Sequence, residues 1–242
     1  TYVQKYLRYK ELNENDDLSG FPGIFIADND NLSATDDTFY RDQQRWIQRW
    51  IETELPSERI DLPSNASEIP DNFDDLKDQL EEGASLLLYT GHGNVDRWSR
   101  FRIIDTNQLP QIITEDRWPI AATFTCLNGF YAFPDETQTL SEAWLFDDYK
   151  TGAIANISPV SVDFYFEQTL FSEALMDQIG QSQTNQPDTI GEILRRAQVE
   201  FLIDNPDLAV TSREFVLFGD PSLEHNFTKI TDELSGNFFL IN

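Results

Sequence analysis

Cysteine is almost absent from this chain, in which Cys126 is the only one among 242 residues. A single thiol cannot form an intrachain disulfide, so the fold does not depend on cross-links. This cysteine usage fits a cytoplasmic protein, and it equally fits a secreted bacterial enzyme that keeps one thiol free.

Basic residues are scarce as well. The sequence has 17 lysines and arginines against 43 aspartates and glutamates, which gives a formal net charge of −26. A surface this acidic repels phosphate backbones and anionic lipids, which argues against a nucleic-acid partner. Bound cations would relieve the self-repulsion, so the composition is compatible with a calcium-containing medium.

Long apolar runs are also missing. No stretch is long enough to cross a membrane, and residues 1–5 do not resemble the start of a signal peptide. Because the first residue is threonine, we expect a processed chain from which targeting segments were removed. Hydrophobic residues make up 40% of the sequence and aromatic residues 13%, which is ample material for the core of one large domain.

Short apolar runs alternate with amphipathic segments along the chain. The apolar runs predict buried strands at 23–27, 84–90, 119–125, 152–157 and 215–218, and the polar residues of 56–71 indicate a loop. The amphipathic segments predict helices at 39–51, 72–82, 140–148, 163–179 and 189–203. This alternation predicts an α/β fold with a mostly parallel sheet and helices on both of its faces.

Two of the predicted strands end at residues that can do chemistry together. His92 follows one strand after a single glycine, and Cys126 follows the next strand directly. In an open parallel sheet, functional groups gather beyond the carboxyl ends of the strands. An imidazole beside a thiol can take its proton during attack and then protonate a leaving amine. The placement therefore predicts a cysteine–histidine dyad.

The glycines on either side of His92 add to this interpretation. Residues without side chains allow the backbone at Gly91 and Gly93 to turn sharply and to approach a substrate. The amides of Gly93 and Cys126 could then stabilise the oxyanion of a tetrahedral intermediate. Structural roles stay open, because a lone cysteine after an apolar strand is usually a core residue and a histidine in a turn often bonds a carbonyl. We expect the other histidine, His225, at the surface.

Two motifs around the dyad resemble those of gingipain-family cysteine peptidases. They are Tyr89-Thr-Gly-His-Gly-Asn94 with Trp98, and Thr125-Cys-Leu-Asn-Gly-Phe-Tyr131, although serine is more usual in the family at position 94. Further blocks resemble the family in the same order and spacing, and together they cover roughly residues 21–225: Phe25-Ile-Ala-Asp-Asn29, Leu140-Ser-Glu-Ala143, Gly152-Ala-Ile-Ala155, Gly191-Glu-Ile-Leu194 and Leu217-Phe-Gly-Asp-Pro-Ser222.

The resemblance implies a caspase-like α/β fold, a three-layer sandwich, with endopeptidase activity through a thioester acyl-enzyme. The nucleophile would be Cys126 and the base His92, with an upstream acid that orients the histidine, for which Asp28 is the nearest candidate. It also implies a secreted or surface-attached bacterial protein that needs no cofactor for its chemistry. Some members of the family bind calcium, and here Asp28 and Asp30 are candidate ligands.

The surroundings of the dyad and the chain's partners follow from the same resemblance. We expect Trp98, Asn94 and Asn128 to line the substrate pocket. Residues 1–20 would be an N-terminal extension or the remnant of a preceding subdomain, 21–228 the peptidase domain and 229–242 a tail. Expected partners are a protein or peptide substrate, the missing N-terminal subdomain and other chains of a surface assembly. Two other functions stay open: a non-catalytic structural or binding subunit, and a narrow sortase-like processing transpeptidase.

Overall fold

A computed structural model of the chain describes residues 1–15, 18, 20–29, 38–51, 55–62, 69–134, 138–181, 188–225 and 227. Within them the helices are α1 (Tyr2–Glu14), α2 (Thr38–Ile51), α3 (Ile69–Glu82), α4 (Leu140–Phe146), α5 (Tyr165–Gln181), α6 (Ile190–Asp204) and α7 (Ala209–Glu214). The strands are β1 (Gly23–Ala27), β2 (Ser57–Asp61), β3 (Leu86–Thr90), β4 (Gly93–Asn94), β5 (Arg97–Trp98), β6 (Ile104–Asp105), β7 (Ile120–Phe124), β8 (Ala155–Pro159) and β9 (Phe215–Phe218).

The main sheet of the described residues has the strand order β2-β1-β3-β7-β8-β9. Neighbours from β2 to β8 pair in parallel, and β9 closes one edge by pairing antiparallel with β8. Parallel neighbours need crossover connections. Helices α2 and α4 lie in the crossovers from β1 to β2 and from β7 to β8, and the small antiparallel sheet β4-β5-β6 lies in the crossover from β3 to β7. Helix α3 lies in the connection from β2 to β3, which are separated in the sheet by β1.

Alternate residues of the central strands face two separate cores, because side chains of a strand point to opposite faces in turn. On one face Leu88 and Phe124 pack with buried residues of α1, α2, α5 and α6. On the other face Tyr89 and Ala121 pack with α3, α4 and the small sheet. The three layers confirm the α/β sandwich that the sequence predicts.

The structure differs from the sequence prediction at several elements. Strand β2 occupies part of the segment predicted as a loop, and it was missed because Ile60 is its one buried residue at the sheet edge. Strand β8 runs from 155 to 159 rather than from 152 to 157. Helix α1 lies within the expected N-terminal extension, and its Tyr9 belongs to the main core. His225 was expected at the surface, but it is 3% exposed and packs beside Tyr9 and Phe227.

Across the described part of the chain, none of the helices has both the length and the apolar character that a bilayer span requires.

Candidate active site

The carboxyl ends of three neighbouring strands lie level with one another. Ala27 of β1 pairs with Thr90 of β3, which in turn pairs with Phe124 of β7. The alignment continues one residue further, because the amide of Asp28 donates to the Thr90 carbonyl (2.9 Å) and that of Gly91 to the Phe124 carbonyl (3.2 Å). The segments that carry the predicted histidine and cysteine therefore leave the sheet side by side.

The Cys126 thiol lies half-buried just beyond β7. Burial raises its pKa, and the carboxylate of Asp163 raises it further, while a hydrogen bond from the Asp163 amide to the sulfur lowers it. The pKa of Asp163 is itself raised to about 6, mainly by burial and also by the neighbouring carboxylates of Glu214 and Glu167. A thiol in this environment is mostly protonated at neutral pH, so its attack on a carbonyl needs a base that takes the proton.

A tight turn after Cys126 fixes the position of the thiol. Leu127 adopts the left-handed conformation with a φ of 63°, and its amide donates to the Ser161 carbonyl at 3.0 Å. The Gly129 amide donates to the Pro159 carbonyl at 2.9 Å. A Cβ at position 129 would lie 3.1 Å from that carbonyl oxygen, so the close approach favours glycine there.

The imidazole of His92 is exposed beyond the end of β3. Its ring meets Phe39 edge to face, with 5.5 Å between ring centroids and an interplanar angle of 83°. Phe39 meets Tyr165 in the same way at 5.2 Å. Edge-to-face contacts of this kind favour one ring orientation. Helices α2 and α5 therefore support the imidazole, which stays accessible to a substrate.

Buried polar groups hold the backbone of His92. Its amide donates to Oδ2 of Asp28 (3.2 Å), and its carbonyl accepts from the Tyr89 hydroxyl (2.5 Å) and the Ser99 amide (2.7 Å). Oδ1 of Asp28 accepts from the Ser99 hydroxyl (3.0 Å) and the Asn29 amide (2.9 Å). Burial raises the pKa of Asp28, and these donors oppose the shift. Asp28 thus contacts the main chain of the histidine that it was expected to orient.

Asn128 joins the cysteine turn to the histidine hairpin. Its side chain is 1% exposed, and its Nδ2 donates to the carbonyls of Asn94 and Arg97. Its Oδ1 accepts from Nε1 of Trp98 at 2.7 Å. A buried amide with three partners fixes the two loops relative to each other. The two strand-end segments therefore behave as one unit.

The glycines beside His92 make room for close contacts. A Cβ on Gly91, whose φ is 156°, would lie 2.2 Å from Cβ of Asp28. A Cβ on Gly93 would lie 2.3 Å from Oγ1 of Thr125, the residue before the cysteine. Neither position accepts a larger residue without a shift of its neighbours. The oxyanion-binding role of the Gly93 and Cys126 amides stays a prediction.

The three residues expected to line a substrate pocket lie in different environments. Asn94 is half-buried and faces a cavity. Trp98 is fully buried, stacks on Tyr89 at 4.6 Å between ring centroids and packs against Trp144 at 5.6 Å. Because Trp98 and Asn128 have almost no exposed surface, they support the site from beneath instead of offering a wall to a substrate.

The cavity beside His92 has a volume of about 430 Å³. It is lined by His92, Gly93, Asn94, Arg97, Ser99 and Arg100. Arg97 and Arg100 were not among the site residues predicted from the sequence. The signal for them was the recurrence of arginine at 97, 100 and 102 in a strongly acidic chain.

The proposed calcium ligands receive no test from the structure. Asp30 lies outside the described residues, and the oxygens of Asp28 face hydrogen-bond donors. In the part of the chain that the structure describes, no group of three or more histidine, cysteine, aspartate or glutamate residues could hold a metal ion. A calcium site stays a prediction.

The fold of the chain is that of the gingipains and the caspases. The Arg-specific cysteine proteinase gingipain R superposes with a TM-score of 0.75 at 18% identity, covering 93% of this chain and 52% of that one. A complex of the pro- and mature domains of Porphyromonas gingivalis RgpB gives 0.73 at 19% identity, with 92% and 52% covered. The Drosophila initiator caspase Dronc gives 0.50 at 9% identity, with 88% and 83% covered. A search of curated proteins finds no match.

The sequence itself specifies the family. Residues 1–226 match the model of Peptidase family C25, and the chain belongs to that family of cysteine peptidases. It spans about half the length of the gingipain chains that it resembles. The match confirms the gingipain-family resemblance of the sequence motifs.

Proposed function

We propose that this chain carries the catalytic dyad of a cysteine endopeptidase, with Cys126 as nucleophile and His92 as general base. The observation that supports it best is the level alignment of β3 and β7. That alignment brings the two segments out of the sheet together, and Asn128 ties them to each other. The family match adds the reaction class.

The reaction begins with attack of the Cys126 sulfur on the carbonyl carbon of a peptide bond, while the imidazole of His92 takes the thiol proton. The tetrahedral intermediate then expels the amine, which receives that proton, and a thioester remains on the cysteine. Water then attacks the thioester while the imidazole takes its proton, the carbon–sulfur bond breaks, and the imidazole returns the proton to the cysteine sulfur as the carboxylic acid product leaves. Because burial raises the pKa of the thiol, transfer of its proton to His92 is an essential part of the first step.

Partners and location belong to the same proposal. Because the chain spans about half of the gingipain structures, we expect a further subdomain to contribute to substrate binding. The RgpB structure is a complex of the pro- and mature domains of that protein, and we propose that an analogous domain is a partner of this chain. We propose a secreted or surface-attached bacterial protein, as in the gingipain family.

The test is the capture of the acyl-enzyme. The protein is mixed with a peptide library and quenched in acid, and intact-mass spectrometry is used to find an acyl group on Cys126. Cys126→Ala should abolish both adduct and cleavage, and His92→Gln should reduce both at least about a hundredfold. An added acceptor amine that captures the acyl group would instead indicate a transpeptidase. No adduct and no cleavage, with the neighbouring subdomain present, would mean a non-catalytic subunit.

A further inference from the structure

The segment that follows β8, residues 159–163, holds the turn that carries the cysteine. The amide of Leu127, the residue after the cysteine, donates to the Ser161 carbonyl at 3.0 Å. At the end of the same segment, the amide of Asp163 donates to the sulfur of Cys126. Asp163 therefore lies directly beside the thiol, and main-chain hydrogen bonds fix its position relative to the nucleophile.

The side chain of Asp163 faces two other carboxyl groups. Glu167 of α5 lies within hydrogen-bond reach of it, and Glu214 at the end of α7 acts on it through its charge. Both neighbours are held in place, because the Thr211 hydroxyl donates to Oε2 of Glu167 and the Glu214 carbonyl accepts from the Val160 amide at 2.9 Å. The strongest charges that the neighbouring helices direct at Asp163 are thus negative.

One carboxyl oxygen of Asp163 lacks a donor. Oδ1 accepts from the Phe164 amide at 2.7 Å, whereas Oδ2 is buried and accepts from no donor among the described residues. Two carboxyl groups in hydrogen-bond contact repel each other unless one of them carries a proton. A proton shared between Asp163 and Glu167 removes this repulsion. Burial, together with the neighbouring carboxylates, raises the pKa of Asp163 to about 6, so the proton leaves between mildly acidic and neutral pH.

We propose that Asp163 is a positioning residue for the nucleophile: its amide holds the Cys126 sulfur, and its carboxyl group, through the proton shared with Glu167, sets by pH how readily the thiol ionises. Loss of the proton adds a negative charge beside the sulfur, which disfavours the thiolate. This penalty on the thiolate is present in neutral and alkaline solution and absent in mildly acidic solution. The proposal rests on the proposed peptidase function and adds a regulation of its nucleophile.

Asp163→Asn tests the charge directly, because asparagine keeps an acceptor for the Phe164 amide and resembles the protonated carboxyl group. The rate at which the single thiol reacts with 2,2′-dithiodipyridine reports its thiolate form from pH 5 to pH 8. The comparison is made in the His92→Gln background, where no imidazole titrates at position 92. We expect equal rates at pH 5 and a rate at least about threefold higher in Asp163→Asn at pH 8, since loss of a like charge favours the thiolate while the lower thiol pKa weakens the nucleophile.

Glu167→Gln, in the same background, tests the shared proton with the opposite sign. The new amide can donate to Asp163 and stabilise its charged form, so the carboxylate forms at lower pH. The thiol should then react at least about twofold more slowly at pH 5. Asp204→Asn, at an exposed carboxylate at the end of α6, is the matched control and should leave the rate unchanged at every pH. A rate ratio for Asp163→Asn that does not change with pH, or an unchanged or faster reaction of Glu167→Gln at pH 5, would overturn the proposal.

The thiol measurement keeps the proposal separate from the peptidase function, because it needs no substrate. If the protein cleaves no peptide but the rate ratio for Asp163→Asn rises with pH, the proposed reaction fails and the role of Asp163 stands. If peptides are cleaved but the rate ratio is the same at every pH, the dyad stands and the role of Asp163 fails.

Discussion

Replacing Asp28 by asparagine exchanges one carboxylate oxygen for an NH₂ group at nearly constant size. In the native site Oδ2 accepts the His92 amide at 3.2 Å, and Oδ1 accepts the Asn29 amide at 2.9 Å and the Ser99 hydroxyl at 3.0 Å. Whichever way the new amide is oriented, its NH₂ group faces a backbone N–H. One buried donor therefore loses its acceptor.

A buried donor without an acceptor costs about 1–3 kcal/mol, so we expect Asp28→Asn to lower the free energy of unfolding by that amount. The matched control is Asp61→Asn, at an exposed carboxylate that contacts only Arg59 among the described ion pairs. Its effect should stay within about 0.5 kcal/mol. Urea unfolding followed by tryptophan fluorescence measures both differences.

The same substitution should displace the backbone of His92 and therefore its ring. We expect kcat to fall about ten- to a hundredfold with little change in KM, as for a misplaced general base. Wild-type stability and activity in Asp28→Asn would refute the role of this carboxylate as the support of the histidine. A large loss of activity at unchanged stability would indicate instead that the carboxylate acts on the ring.

Three further predictions concern other parts of the molecule. Gly93→Ala should lower the rate of peptide cleavage more than tenfold, because the added Cβ would lie 2.3 Å from Oγ1 of Thr125. The double variant Gly93→Ala with Thr125→Ala should recover much of this loss, since the second change removes the clashing atom. Peptide cleavage assays measure the activity of each variant, and unfolding experiments measure its stability. Asn128→Asp should lower the free energy of unfolding by about 2–4 kcal/mol, since a buried carboxylate would face two carbonyls. The matched control, Asn205→Asp at the half-buried end of α6, should lower the free energy of unfolding by less. Burial lowers the pKa of His225 from 6.5 to about 3, so the folded state resists its protonation. Stability should therefore be complete above pH 6.5 and fall as the pH drops toward 3, by about 2 kcal/mol between pH 7 and pH 5. His225→Asn should remove this part of the pH dependence in urea titrations, and an unchanged slope would contradict it.

The sequence was most informative where burial was complete. The strands that carry the site are buried at every position and mostly apolar, as in 86–90 and 120–124, and such runs predict central parallel strands. Edge strand β2 was missed because Ile60 is its one buried residue. Helix α1 was missed partly because Lys5, which is 1% exposed, lies on its buried side.

The site was only partly predictable for a related reason. A residue that follows a buried strand is visible in the sequence, so His92 and Cys126 could be paired before the structure was known. The role of Asn128 could not, because it depends on contacts with carbonyls about 30 residues away. The burial of Trp98 and His225 likewise follows from tertiary packing, which overrides the preference of polar-tipped side chains for the surface.

The dyad is tested most directly by the rate at which iodoacetamide alkylates the single thiol in the wild type and in His92→Gln, between pH 5 and pH 9. Because the protein has one cysteine, the modified site is unambiguous. Burial raises the pKa of Cys126, so a thiol without its base should react slowly at neutral pH. We predict that His92→Gln slows alkylation at pH 7 at least about tenfold. Equal rates in the two proteins across this pH range would contradict the pairing of His92 with Cys126.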